Sequence, residues 1–470
     1  MPSLKNNLFY SILLVLANYV FPFLTYPYVS RVLGVTGIGA CNFVDSVINY
    51  YILFSSLGIA TLGVREIAKH KDDQQSLNKT FSSIFLVNLA LTGLMLLILV
   101  VTTFTVPQFA RHKDLMFIGA FKLLFNCLLV EWLFKGLEDF KLITIRTIVV
   151  KLAYVAAVFV FVRERGDVWV YYMLSSVMVV VNALVNVFFS RSRVKLTFRG
   201  LSLWQTFRSM LALGVYAILT SMYTTFNMTF LGFASSETEV GYYATATKLY
   251  YIVMAVFAAF TSVMLPRMSQ LVSQGDMQKF KSYFALAVEV LFGFSLPVVA
   301  WMIPMAKDIV MVVSGPEFGG AVLPMIIIAP LVIVVGYEQI LVHQTLLPLG
   351  EDKIMLRNSI MGAALGVILN FVLVPLFAAI GSSIVWIAVE CLILLLSQIA
   401  VTKSIELSFP VGSFIKSVLV YLPLAGLMVV CALLPYRPIF KLVVSLSVAG
   451  AYVILYQLVI KKGQLLKSLR

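Results

Sequence analysis

Apolar stretches long enough to cross a bilayer recur along this chain from Leu8 to Ile460, separated only by short polar breaks. A helix rises about 1.5 Å per residue, so roughly 20 apolar residues cross a hydrocarbon core of about 30 Å. Backbone polar groups in hydrocarbon must pair within their own segment, so runs of this length form helices. A transmembrane barrel would show shorter segments of alternating character. Composition agrees: 61% of the 470 residues are hydrophobic, 12% are charged, and mean hydropathy is +0.99. A soluble domain is about half apolar and about a quarter charged. The expected fold class is an all-α integral membrane protein with lipid as its solvent.

Dividing the runs at polar breaks predicts about 14 transmembrane helices, with 12 as the lower count. They lie near 8–32, 38–63, 80–106, 115–137, 142–162, 168–190, 208–233, 239–265, 283–305, 321–347, 357–377, 380–402, 414–434 and 437–460. Only Ala378 to Gly381 divides the block 357–402. The first run is too long and too rich in Pro and Tyr for a cleaved signal peptide and is expected to remain as a span.

Lys and Arg in short loops set orientation. One side carries Lys5, Arg65, Lys69, Lys71, Lys79, Arg191, Arg193, Lys195, Arg199, Arg208, Arg267, Lys279, Lys281, Lys461, Lys462, Lys467 and Arg470. The other carries Arg111, Lys113, Arg163, Arg165, Lys307, Arg437 and Lys441. The first side is expected to be cytoplasmic, with both termini inside and an even number of spans. This bias accounts for the net charge of +14. No basic patch interleaves with aromatics on a soluble stretch, so nucleic acid is not an expected partner.

The loops are too short for a domain, so any chemistry sits within the membrane region or at its rim. Catalytic patterns are missing: there is no phosphate-cradling Gly-Lys-Ser/Thr loop. His70, His112 and His343 are scattered, and Cys41, Cys127, Cys391 and Cys431 fall in apolar runs without metal-ligand spacing. Neither a metal nor a cofactor is expected, and the chain reads as a transporter rather than an enzyme.

The two halves repeat one pattern. Leu33-Gly34 is followed by Gly39 and Arg65, and Leu231-Gly232 by Gly241 and Arg267. The glycine-to-arginine separation is the same, 65 − 39 = 26 and 267 − 241 = 26. Both stretches carry a tyrosine pair, Tyr50-Tyr51 and Tyr250-Tyr251. Spans one and seven leave the same side, so an axis along the membrane normal should relate the halves, with a binding site at the midplane between them.

Charges inside spans are costly and usually face a cavity. They include Arg31, Asp45, Lys122, Glu131, Lys151, Lys248, Glu289, Glu338 and Glu390. Those near span ends, Arg31, Lys122, Glu131, Lys151 and Glu289, can also snorkel to the interface. Asp45 and Lys248 occupy nearly matching places in the two halves. Either a cavity role or a structural ion pair between them meets the cost of burial. Pro22 and Pro27 interrupt the hydrogen-bond ladder of the first span and predict a bend or hinge there. Pro297, Pro304, Pro324 and Pro330 suggest a second bent region. Some tyrosines belong to the interfacial belt, while mid-span ones such as Tyr26, Tyr51 and Tyr250 could face a sugar.

The stretch Tyr28-Val29-Ser30-Arg31-Val32-Leu33-Gly34-Val35-Thr36-Gly37-Ile38-Gly39 resembles the first-span signature of Wzx-type polysaccharide flippases. So does Leu57-Gly58 followed by Gly63-Val64-Arg65-Glu66-Ile67-Ala68. In the second half, Phe230-Leu231-Gly232, Val240-Gly241-Tyr242-Tyr243 and Pro266-Arg267-Met268-Ser269 are similar to the same family. That family belongs to the MOP superfamily, with the MATE exporters and the lipid II flippases. One departure is Asn227, where the family often has an acidic residue, which puts a cation-coupling role there in doubt. The resemblance implies two six-helix bundles around a central cavity, residues 1–200 and 201–405, with an extra helix pair over 406–470 packed outside. It implies an undecaprenyl-pyrophosphate-linked oligosaccharide as substrate, carried across the bacterial inner membrane from the cytoplasmic to the periplasmic leaflet. Arg31, Lys248, and Lys122 or Lys151 are then the candidates for phosphate contacts. Proton or sodium coupling is left open. Membrane lipids, a polysaccharide polymerase and other glycan-assembly proteins are the partners it suggests.

Other readings predict different features. A MATE-like drug or cation antiporter calls for a cavity rich in acidic residues, whereas basic residues are at least as frequent here. A polymerase or ligase would be expected to carry a large periplasmic loop, and this chain has none. A non-transporting scaffold for glycan enzymes remains compatible with the sequence.

Overall fold

The computed structural model describes residues 4–456. The basic tail residues Lys461, Lys462, Lys467 and Arg470, and the end of the expected last span, lie outside them. Among the described residues there is no strand. In chain order the helices are α1 (Leu4–Ser56), α2 (Ile59–His70), α3 (Gln74–Thr105), α4 (Pro107–Arg111), α5 (Lys113–Asn126), α6 (Glu131–Gly136), α7 (Phe140–Phe161), α8 (Val168–Ser190) and α9 (Leu203–Thr224). There follow α10 (Phe226–Ala234), α11 (Glu237–Ser273), α12 (Met277–Met302), α13 (Ala306–Val313), α14 (Val322–Ile328), α15 (Leu331–Leu341), α16 (Asp352–Ile405), α17 (Val411–Leu433) and α18 (Pro438–Leu455).

Large apolar side chains stay uncovered along these helices: Leu97 is 63% exposed, Phe104 68% and Leu376 69%. A water-soluble surface does not carry apolar faces on this scale, whereas a lipid-facing one does. Among the described residues ten helices are long and apolar enough to span, and two bent pairs, α9 with α10 and the stretch 316–346, raise this to as many as 12 if each pair is one span. Two long helices are each broken at one residue, α1 at Gly34 and α16 at Ala378. Their four arms, 4–33, 35–56, 352–377 and 379–405, are each long enough to cross. Counting arms gives 12 + 2 = 14, the number expected from the sequence.

Gly34 has φ 71° and ψ 176°. This region is essentially closed to residues with a Cβ, so glycine permits the turn between spans one and two. Before the turn, three contacts hold the first arm to α7. Thr144 donates to the Tyr10 carbonyl at 2.9 Å, Lys151 to that of Ala17 at 3.3 Å, and the Tyr28 hydroxyl to that of Val162 at 2.6 Å. The separation is 134 each time, so spans one and five run in the same direction. After the turn, Cys41 reaches the Val168 carbonyl at 3.7 Å, at the far end of the same short loop. In a straight helix, positions 28 and 41 would lie about 20 Å apart, so the chain has doubled back.

The chain forms two compact units, 1–241 and 242–470. In the first, Leu62, Ile67, Phe81, Trp132 and Phe134 build an apolar cluster where α2, α3 and α6 meet. Outside the spans, Asp73 caps α3: bonds from the Ser76 hydroxyl and the Gln75 amide hold its carboxyl below the usual range. In the second unit, α17 packs on α12 and α18 on α13. Trp301 donates to Ser445 at 2.9 Å, and Lys441 pairs with Asp308 at 3.4 Å, which ties the last helix pair to that unit.

Ala378 carries φ 48° and ψ −123°, a conformation costly for a residue with a Cβ. A Cβ at Gly381 would lie 2.3 Å from the Leu373 carbonyl oxygen. Ala378→Gly is therefore expected to raise the melting temperature of the detergent-purified protein. Gly381→Val should lower it, through an overpacking cost of about 1–3 kcal/mol. Equal melting of both variants would disprove this account of the turn.

Candidate functional site

The turn between spans one and two meets the segment 232–241 through backbone rather than side chains. A Cβ at Gly39 would stand 1.7 Å from the Glu237 carbonyl oxygen, and one at Gly241 2.3 Å from that of Val35. At Gly232 it would enter the Phe43 ring at 2.0 Å. Glycines 39 and 241, matched as repeat positions in the sequence, therefore each seat the other's segment. Phe233 seals the junction, 5.4 Å from the rings of both Phe43 and Phe109. Beside it His112 Nε2 lies 3.0 Å from Glu237 Oε1. A cavity of 330 Å³ opens there, bordered by Thr36, Arg111, His112, Ser235 and Glu237.

Further along the second arm a polar set lines up. Asp45 Oδ1 forms an ion pair with Lys122, and the Tyr172 hydroxyl lies 3.4 Å from the same oxygen. Asn49, one turn on, donates to Oδ2 at 3.3 Å. The Tyr51 and Thr102 hydroxyls bond at 2.6 Å, and Tyr50 donates to the Ser221 carbonyl at 3.1 Å. Farther off, Lys151 is buried and donates to Asn18 Oδ1 at 2.7 Å. Arg146, also buried, reaches Glu131 at 2.8 Å and binds Asn186, which in turn donates to the Leu129 carbonyl. Lys135 completes this network, 3.3 Å from Glu131.

In the second unit Glu338 stands beside the buried Glu390. Trp386 donates to Glu390 at 3.0 Å, and the rings of Tyr250 and Tyr251 lie 4.9 Å and 5.8 Å from Trp386. Nearby in sequence the helix loosens into a π turn at Val342–Leu346. There Gln344 donates to Thr261, which donates to Gln339. Single π turns often mark functional positions in helices.

The structure brings some expected residues together and separates others. Asp45 and Lys122 form one pair, so snorkelling is not what holds Lys122. Lys151 lies in another place, against the first arm. Arg31 is exposed and donates to its own Pro27 carbonyl at 2.7 Å. Tyr26 is buried, Tyr51 half-buried, and Tyr250 is buried against Trp386, while Lys248 sits half-buried on α11. The helix continues through Pro22 and Pro27, and the conformational break lies at Gly34. Arg146, Asn186, His112 and Glu237 are absent from the sequence-derived set. Arg146 could have been found, since an arginine inside 142–162 meets the criterion of a charge within a span. The His112–Glu237 pair joins residues 125 apart (237 − 112) and leaves no local signal.

Broken membrane helices, a backbone-to-backbone junction between two turns and charges paired inside the bilayer define a polytopic transporter fold. Residues 4–272, more than half of the chain, match the polysaccharide biosynthesis protein family, and the chain belongs to it. A protein of Escherichia coli (strain K12) named as an O-antigen transporter is 27% identical over 399 residues, covering 83% of this chain and 95% of the relative. Among solved structures, the lipid II flippase MurJ in an inward closed conformation superposes with a TM-score of 0.79 at 14% identity. That match covers 96% of this chain and 99% of the other. An inward-facing MATE multidrug transporter of the MOP superfamily gives 0.65 at 14% identity, covering 82% and 94%.

Gly39→Val should act on the junction alone, because only there does its side chain collide. An overpacking cost of about 1–3 kcal/mol corresponds to about 5–150-fold less of the closed junction. A cysteine placed at the buried Val240 should then react faster with a water-soluble maleimide, with the melting temperature little changed. Unaltered labelling would show that the junction does not depend on glycine.

Proposed function

We propose that this protein carries an undecaprenyl-pyrophosphate-linked oligosaccharide from the cytoplasmic to the periplasmic leaflet of the bacterial inner membrane, with both termini cytoplasmic. The observation that carries the reading is the relationship to the O-antigen transporter, which extends over nearly the whole of that relative. Physical chemistry supports it. A pyrophosphate and sugars cannot cross hydrocarbon alone, since each unpaired polar group there costs several kcal/mol. The spans of the first unit hold Lys122, Lys135, Arg146 and Lys151 against Asp45 and Glu131, an excess of two cations suited to an anionic head group.

In this reading the junction at Gly39 and Glu237 is a gate on the periplasmic side, closed while the substrate enters from the cytoplasm. Two six-helix bundles, 1–200 and 201–405, rock about the substrate, with 406–470 as an outer pair. Pro22 and Pro27 lie in the moving first span. Lys122 exchanges Asp45 for phosphate, and Arg31, Lys151 and Lys248 are further phosphate contacts. Tyr26, Tyr51 and Tyr250 offer ring faces and hydroxyls to sugars. A polymerase would receive the product. Two carboxyl groups side by side, Glu338 and Glu390, are the natural place for proton coupling.

That carboxyl pair, ringed by Tyr250, Tyr251 and Trp386, also favours a second reading, export of a lipophilic cation. Proteoliposomes separate the two. A fluorescent lipid-linked oligosaccharide should reach the far leaflet with wild-type protein, and Lys122→Gln should slow it about tenfold or more. Cation efflux without flipping would transfer the protein to the drug-export reading. A pH gradient should accelerate flipping by wild type but not by Glu390→Gln. Equal acceleration in that variant would exclude the pair as the coupling site.

A further inference from the structure

Helices α7 and α8 lie side by side and leave a groove of 560 Å³ between them. Its walls are apolar: Leu142, Ile145, Val149, Val185 and Phe189. Ile145 and Val149 are 48% and 57% exposed, so the groove is open to the membrane. One end is charged. Asp139 and Lys141 stand at the start of α7, Arg193 lies just beyond α8, and Arg146 borders the groove one turn further in.

Arg146 supplies the second observation. It is only 7% exposed, and its Nη groups bind Glu131, Thr147 and Asn186, yet its Nε has no hydrogen-bond partner. That nitrogen is itself enclosed, so an acceptor reaches it only with a shift of the Arg146 side chain towards the groove. Of the charged groups that line the groove, Lys141, Arg146 and Arg193 stand against Asp139, three cations to one carboxylate. Arg193 lies 3.0 Å from Asp139, and the remaining positive charge is not matched within the set.

We propose that this groove is a binding site for one phospholipid with a net-negative head group. Its phosphate sits at Lys141 and Arg193, and one acyl chain lies along Ile145, Val149 and Phe189. The wall from Leu142 to Val149 extends about 10 Å, the depth of most of one leaflet's chains. A soluble anion would leave that wall uncovered, and a zwitterionic lipid would not answer the excess positive charge. The bound lipid clamps α7 to α8 on the side where basic loop residues gather. This site does not depend on the transported substrate.

The test uses full-length protein in nanodiscs with equal parts phosphatidylglycerol and phosphatidylethanolamine, released for native mass spectrometry. One phosphatidylglycerol should remain bound. The double variant Lys141→Gln/Arg193→Gln should reduce that species about tenfold or more. Ile145→Trp, which fills the groove from its lipid-exposed face and removes no charge, should reduce it too, and decides the matter if the charge variant is unstable. Retention unchanged in Ile145→Trp, or phosphatidylethanolamine held equally well, would overturn the proposal. So would preferential capture of undecaprenyl phosphate added at the same concentration, which would make the groove a substrate site. Flipping measured in wholly zwitterionic liposomes reports on transport separately, so either idea can fail alone.

Discussion

A peptide group in hydrocarbon must find its partner within the protein, and that requirement decides where this chain can bend. Its breaks lose few hydrogen bonds. At the bend between α9 and α10, the Thr225 amide still donates to Ser221 at 3.0 Å, and the Thr225 carbonyl accepts from Thr229 at 3.3 Å. At the bend before α15, the Ala329 amide reaches Met325 at 2.9 Å, and Pro330, next in line, has no N–H to lose. The π turn holds the ladder with a wider loop, from Leu347 to Val342 at 2.9 Å. The sharp reversals at Gly34 and Ala378 are limited to one residue each. Bent spans can therefore exist here without water, which a transporter that must move inside a bilayer requires.

The same requirement explains what could be read from sequence. Apolar runs and their breaks mark the spans because hydrocarbon thickness sets their length, and even the short divider at Ala378 to Gly381 falls on a real reversal. The repeated glycines were visible as a spacing, but not as partners. That Gly39 seats Glu237 follows from a tertiary approach with no local periodicity. Pro22 and Pro27 drew attention because each removes a donor, yet the helix passes through both. Each proline forfeits only the single ladder bond to the carbonyl four residues back, at Asn18 and Phe23, and the rest of the ladder carries the helix on. Glycine at Gly34 controls the conformational break because it alone tolerates the φ and ψ found there.

Charges follow a different logic. Sequence shows that a charge lies within a span but not what pays for it. Asp45 could have paired with any cation that the fold brought near; it takes Lys122, which is 122 − 45 = 77 positions away. Arg146 spreads its charge over Glu131, Thr147 and Asn186, and Asn186 fixes itself on the Leu129 carbonyl. A network of this kind rigidifies its helices, because removing one member leaves buried groups unpartnered. Asn18, by contrast, offers Lys151 only a neutral oxygen. A cation held that way gives up less when an anion replaces its partner.

That difference separates scaffold from candidate site. The Arg146 network is multiply bonded and built to stay. In the Asp45–Lys122 pair the cation is less enclosed, 16% exposed against 5% for Arg146, and Asn49 and Tyr172 remain to solvate Asp45 if the lysine turns away. An anionic head group would then find a lysine whose former partner is already provided for. In the second unit the arrangement is different: Glu390, beside Glu338, accepts from the neutral Trp386 indole at 3.0 Å. Taken with the proposed function, exchange of a counter-ion in one unit and of a proton in the other would supply two separate switches, one for the substrate and one for the driving force.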